Sequence, residues 1–167
     1  MHPHPVSGVG GHRYEHGGED GQDPHSIYRL HCLAIDLVNH GYYWESHEAW
    51  EMIWIAAPAT TTRACFLKGL IKLAAAGVKA RQGSATGVRR HAARAAALFI
   101  ACEQDTTFDG RHEFGLTAMS LYQTSTQLAK QADSIIDSTV CSVQRVLPFV
   151  LIPNFDPNNT QAVKTGV

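Results

Sequence analysis

The chain has 167 residues, 44% of them hydrophobic and only 17% charged, with a formal net charge of −1. That length suits one domain with one core, the composition excludes a wholly disordered chain, and the near-neutral charge removes any global electrostatic drive toward nucleic acid or anionic lipid. No apolar run reaches the ~20 residues that span a bilayer, so neither membrane nor nucleic acid is expected as a partner, and the expected compartment is the cytoplasm.

Residues 1–24 read as a disordered tail. They hold Pro3, Pro5, five glycines between Gly8 and Gly18, and His2, His4, His12 and His16; such a segment buries too little apolar area to offset its ordering entropy. A helical domain is expected over residues 25–147. Ser26 is a candidate N-cap, and Ile27, Leu30, Ala34, Leu37 and Val38 follow at helical spacing until His40-Gly41 ends the first helix. A second helix runs from about Tyr42 through Trp54 to the break at Pro58. Thr60, Thr61 and Thr62 offer caps for a third, from about Arg63 to Arg81, closed by Gly83. The Ala-rich stretch from about Ala85 to Cys102 predicts a fourth. After a turn-rich loop at Asp105 to Gly110, a fifth helix is expected over Glu113 to Asp133 and a sixth over Ser134 to Val146. Pro148, Pro153 and Pro157 predict an extended tail over 148–167.

No strand pattern of convincing length appears, so the expected fold is all-α: a compact antiparallel bundle of about five to six helices, because short connections favour antiparallel neighbours. Helices two and three are expected to pack through Trp54, Phe66, Leu70 and Ile71. Gly69, costing about 1 kcal/mol in a helix interior, marks a close approach. Cys32, Cys65, Cys102 and Cys141 show no C-x-x-C spacing and are expected as reduced core residues.

The densest chemistry lies on the second helix. At about 100° per residue, Trp44, His47, Glu48, Glu51, Trp54 and Ile55 share one side. Carboxylates set between tryptophans are expected to be partly desolvated, which suits them to proton transfer or cation binding. His47-Glu48 starts a zinc-protease motif, but Glu51 stands where the second His must be. A di-metal carboxylate bundle needs two Glu-x-x-His pairs, and the helical region has none. What remains is a ligand or mononuclear metal site, with His47 and Glu51 as metal ligands and Glu48 as candidate general base. The plainer alternative is an acidic cluster neutralised by cations of neighbouring helices.

Those cations are close in sequence. Between Met52 and Cys102 there is no Asp or Glu, whereas Arg63, Lys68, Lys72, Lys79, Arg81, Arg89, Arg90 and Arg94 all fall there. Lys68, Lys72 and Lys79 align within about 40° on the third helix, where they can face the acids of helix two or bind a phosphate or carboxylate. His91, on the fourth helix, is a further candidate ligand.

The run Tyr42-Tyr43-Trp44-Glu45-Ser46-His47-Glu48-Ala49-Trp50-Glu51 through Trp54 resembles the signature of domain-of-unknown-function family 309: an aromatic, Glu-x-His-Glu, a further Glu three positions on, then Trp. Phe66 through Ala76 is similar to that family's Gly-Leu-Ile-containing helix, and Gly83 with Gly87 resembles the turn that follows it. The resemblance covers about residues 26 to 102 and implies a helical bundle without naming an activity. Two departures make this site more cationic than the family pattern: Lys72 stands where many members have Gln, and Lys79 where they have His.

Together these readings give a non-enzymatic binding or interaction module, with a polar pocket between helices two and three lined by Trp44, His47, Glu48, Glu51, Trp54, Lys68 and Lys72. A small polar or anionic ligand and a homodimer partner are expected. The alternative is a metal-dependent hydrolase with His47 and Glu51 as ligands and Glu48 as base.

Overall fold

The computed structural model describes residues 24–136 and 143–155. Residues 1–23 of the expected N-terminal tail, Cys141 and residues 156–167 of the expected C-terminal tail lie outside them. Six helices follow in order: α1 (Pro24–Asn39), α2 (Tyr43–Ala56), α3 (Thr62–Arg81), α4 (Ala85–Cys102), α5 (Gly110–Phe114) and α6 (Ala118–Lys130). No strand occurs among the described residues.

Local chemistry sets most of the boundaries. Pro24 occupies the first position of α1, where its missing N–H costs nothing. Ala57 is extended ahead of Pro58 and closes α2, as the residue before a proline must be. Thr61 caps α3 by accepting from the Ala64 amide, and Ser84 caps α4 by accepting from Gly87. The expected fifth helix is in fact two. Gly115 sits at φ 69°, the left-handed geometry that ends α5, and Thr117 then starts α6 by accepting from the Ser120 amide. The expected sixth helix does not form among the described residues: Ser134 ends a turn, Ile135 and Ile136 are not helical, and neither are Val143 to Val146. Its middle, residues 137–142, lies outside the described residues.

Helices adjacent in sequence pack antiparallel, α1 on α2, α2 on α3 and α3 on α4, with α6 on the far side of α4. The cross-contacts fix the direction. Ser46 Oγ donates to the Ala34 carbonyl between α2 and α1. Tyr43 lies against Gly77 and Trp54 beneath Lys68 between α2 and α3. Cys65 meets Leu98 and Cys102 meets Thr62 between α3 and α4.

The central element is α3, which buries eleven residues, including Phe66, Leu67, Leu70, Leu73 and Ala74. Burial from both sides needs short distances. A Cβ on Gly69 would lie 2.5 Å from the Phe99 ring of α4, and one on Gly77 would lie 2.5 Å from the Tyr43 ring of α2. Gly69 thus marks the expected close approach. Phe66, expected between α2 and α3, instead stacks on Phe114 at 5.2 Å and meets Phe99 and Phe108, while Leu70 and Ile71 are buried as expected.

Two polar devices complete the core. His31 of α1 is 1% exposed, yet each ring nitrogen is satisfied. Nε2 reaches the Phe114 carbonyl at 2.8 Å, which requires the proton on Nε2, and Nδ1 accepts from Trp50 Nε1–H at 3.1 Å. Burial pushes its pKa from 6.5 down to about 4, against the opposing pull of the Phe114 carbonyl. The second device is the C-terminal strap, residues 143–155. It lies against the bundle without regular secondary structure, bends at Leu147 and Pro148, and buries Leu147 and Leu151. Tyr43 Oη accepts from the Val146 and Leu147 amides at 2.8 and 3.0 Å. Asn39 both donates to the Leu151 carbonyl and accepts from its amide, so its side chain pairs with the strap as a strand backbone would.

His31→Leu is expected to cost about 2–4 kcal/mol, because it leaves the Trp50 N–H and the Phe114 carbonyl buried and unpaired. Its pH signature follows from the depressed pKa. The unfolded imidazole takes a proton below pH 6.5 that the folded one refuses until about 4, so the stability linked to neutral His31 is complete above 6.5 and lost as pH falls toward 4. Urea midpoints measured across that range should fall less steeply in the variant. Separately, Tyr43→Phe should accelerate hydrogen exchange at the Val146 and Leu147 amides at a cost of about 1–3 kcal/mol, with α3 amides changing only in step with global stability.

Candidate functional site

The polar face predicted from sequence spans three helices. In the antiparallel register, His47 of α2, Lys72 of α3 and His91 of α4 fall at about the same level, and electrostatics ties them together. The Lys72 ammonium acts on both imidazoles.

The two tryptophans do not flank the acids as a pair; each takes a different partner. Trp44 stacks on the His47 ring, 5.5 Å between centroids and 1° between planes. Trp54 carries the Lys68 ammonium 5.8 Å from its ring centroid, within cation–π range. Glu51 is half-buried beside His47, whereas Glu48 is exposed on the outer side of α2. The desolvation expected of Glu48 therefore does not occur, which weakens it as a general base.

His47 is pushed below its usual pKa, chiefly by burial and further by Lys72, with Glu51 and Glu48 opposing. His91 is pushed down to about 4 by burial first, then by Lys72, Arg90, Lys79 and Arg94. The Nδ1 atoms of both rings are shut off from solvent with no hydrogen-bond partner among the described residues. A buried lone pair left unpaired costs less than a buried N–H left unpaired, so the proton belongs on Nε2. Each ring is then a neutral Nε2–H donor beside a lysine.

The expected neutralisation of α2 acids by α3 lysines is not realised at contact distance. Among the described residues the ion pairs are Arg63 Nε–Glu113 Oε1 and Arg89–Asp133, both at 2.7 Å. The first joins α3 to α5 as a close charge contact rather than an aligned hydrogen bond, with the Arg63 guanidinium also 5.7 Å from the Phe114 ring centroid. Lys79 donates to Gln82 instead of to an acid.

No group of three or more His, Cys, Asp or Glu side chains among the described residues is arranged to hold a metal. His47 and Glu51 thus find no third protein ligand of those types. His47, Glu51, Lys72 and His91 are all half-buried. One cavity of about 430 Å³ lies at Cys102, Phe108, Gly110 and Met119, and another of about 490 Å³ lies between α4 and α6 at Arg89, Ala96 and Lys130. Neither touches His47, Glu51 or Lys72.

Residues 33–91 match the family model of a domain of unknown function, DUF309. The match spans 59 of the 167 residues, about a third of the chain. It runs from α1 into α4, holds every predicted site residue, and ends at His91; α5, α6 and the strap lie beyond the DUF309 match. No match was found among curated proteins or among solved structures.

Sequence spacing named His47, Glu51, Lys68, Lys72 and His91 as candidates, and it did not assign Arg90 and Arg94 an influence on His91. Their signal was the acid-free stretch itself. Lys72→Gln removes one of the causes that lowers each imidazole. Proton NMR titration of the variant should therefore show the pKa values of His47 and His91 both rising, and that of His31 unchanged.

Proposed function

We propose that this chain is a non-enzymatic binding module whose site is the α2–α3–α4 face, and that its ligand is a small anion carrying a carboxylate or phosphate group. The observation that carries the reading is the field around Lys72. One ammonium serves two neutral Nε2–H donors, and Lys79, Arg90 and Arg94 also bear on His91. An anion seated there gains a charge-assisted contact with Lys72 and hydrogen bonds from both rings. Glu48 and Glu51 edge the face on the α2 side and steer the anion toward α3 and α4. Trp44 and Trp54, already stacked on His47 and Lys68, hold the binding groups in place.

The competing reading, a hydrolase with a divalent metal on His47 and Glu51 and Glu48 as base, has the Lys72 charge against it. The Lys72 ammonium near His47 opposes a second cation, and Glu48 is exposed rather than in the dry site that general-base work favours. The module is read as cytoplasmic. Met52 and Ile55, 58% and 72% exposed on α2, are apolar side chains available to a homodimer contact.

The test is histidine NMR with inorganic phosphate and, separately, acetate. Binding should raise the pKa of His47 and His91 together, because the anion favours their charged forms. Affinity should then increase as pH falls from about 7 to about 5, and Lys72→Gln should weaken it about tenfold or more. If phosphate and acetate leave both rings unmoved while zinc binds and is lost in a His47→Ala, Glu51→Ala double variant, the metal reading replaces this one.

A further inference from the structure

Two cysteines far apart in sequence meet where α3 begins and α4 ends. The Cys65 thiol donates to the Leu98 carbonyl of α4 at 3.5 Å, and the Cys102 thiol donates to the Thr62 carbonyl of α3 at 3.8 Å. The two bonds cross between the same pair of helices, and Cys65 is close enough to act electrostatically on the Cys102 thiol. Both are reduced, Cys65 half-buried and Cys102 buried. From this juxtaposition we propose that Cys65 and Cys102 are an oxidative modification site that closes to an intramolecular disulfide on reaction with hydrogen peroxide.

The chemistry balances with that oxidant alone. The Cys65 thiol, the more accessible of the two, loses its proton, and its sulfur attacks the O–O bond. Cys65 becomes a sulfenic acid and the leaving hydroxide takes the proton to become water. The Cys102 sulfur then attacks the Cys65 sulfur, the S–S bond forms, and the sulfenic hydroxyl leaves as a second water with the Cys102 thiol proton. Two thiols are oxidised and one peroxide is reduced to water. The order of the two sulfurs has a physical basis, because burial, then Cys65, then Glu103 and Asp105 push the Cys102 thiol up to about 12, which disfavours it as the initial nucleophile.

The surroundings fit the closure. A disulfide needs Cα atoms closer than about 7 Å, nearer than helices usually pack. The approach of α3 to α4 is tight at Gly69 against Phe99. Cys102 is the last residue of α4, and helix ends adjust more easily than interiors. Cys102 also lines the 430 Å³ cavity, whose other walls include Glu103, Asp105 and Asp109. Closure would tie the start of α3 to the loop after Cys102, where Thr62 already bonds Asp105.

The experiment treats the full chain with hydrogen peroxide, blocks residual thiols with N-ethylmaleimide, and maps peptides without reduction. The expected result is a Cys65–Cys102 linked peptide lighter by two hydrogens. Cys32 should remain blocked, and the thermal midpoint should rise by about 5–10 °C and fall back on adding dithiothreitol. Cys65→Ser should abolish the linked peptide and the rise. Sulfinic acid at Cys65 with Cys102 still blocked, or crosslinks only through Cys32 or Cys141, would overturn the proposal. The wild-type peptide map decides it even where a variant folds poorly.

Discussion

The structure depends on a central helix that water barely reaches. With Phe66, Leu67, Leu70, Leu73, Ala74 and Ala76 all buried, α3 must be covered by α2 and α4 at once. Coverage at that range leaves no room for a side chain where the aromatic rings of the neighbours press in. Gly69 yields to Phe99 and Gly77 to Tyr43. Each glycine weakens the isolated helix by about 1 kcal/mol, and the burial it permits is larger, since one fully buried aliphatic side chain contributes about 1.5–3 kcal/mol.

The same geometry makes the polar face. Lys72 stands at the edge of a helix enclosed on both sides, so its ammonium lies between α2 and α4 and acts on an imidazole from each. The rings are held neutral by burial and by that charge, and their sealed Nδ1 atoms leave one donor apiece. Because the α2 acids stop short of ion-pair contact with the α3 lysines, the positive field is left uncancelled at close range.

Peripheral elements are fastened by polar side chains acting as backbone. His31 ties α1 to α2 and to the carbonyl at the end of α5, Arg63 holds α5 against α3, and Asn39 with Tyr43 holds the strap. Buried groups of this kind stabilise only while every partner is present. That makes the fold sensitive to acid at His31, whose neutral form alone can both accept from Trp50 and donate to Phe114.

The sequence by itself determined the helices and their ends, because these are local. Apolar spacing, Thr61, Ser84, Pro58 and Gly83 act within a turn or two of where they stand, and so α2, α3 and α4 were legible nearly to the residue. Gly115 and Thr117 carried the split between α5 and α6 just as locally, but the periodic run through them masked it. The predicted site residues were legible as types on a helix face; their roles were not. Whether Glu48 is dry, whether Trp54 shelters an acid or a lysine, and whether His91 joins His47 depend on which helix lies opposite, and spacing along one helix carries no information about that. His31, the strap and the Cys65–Cys102 pair belong wholly to the tertiary structure. Their partners lie 19 to 112 residues away along the chain, and only packing around α3 brings such distant groups within reach of a hydrogen bond.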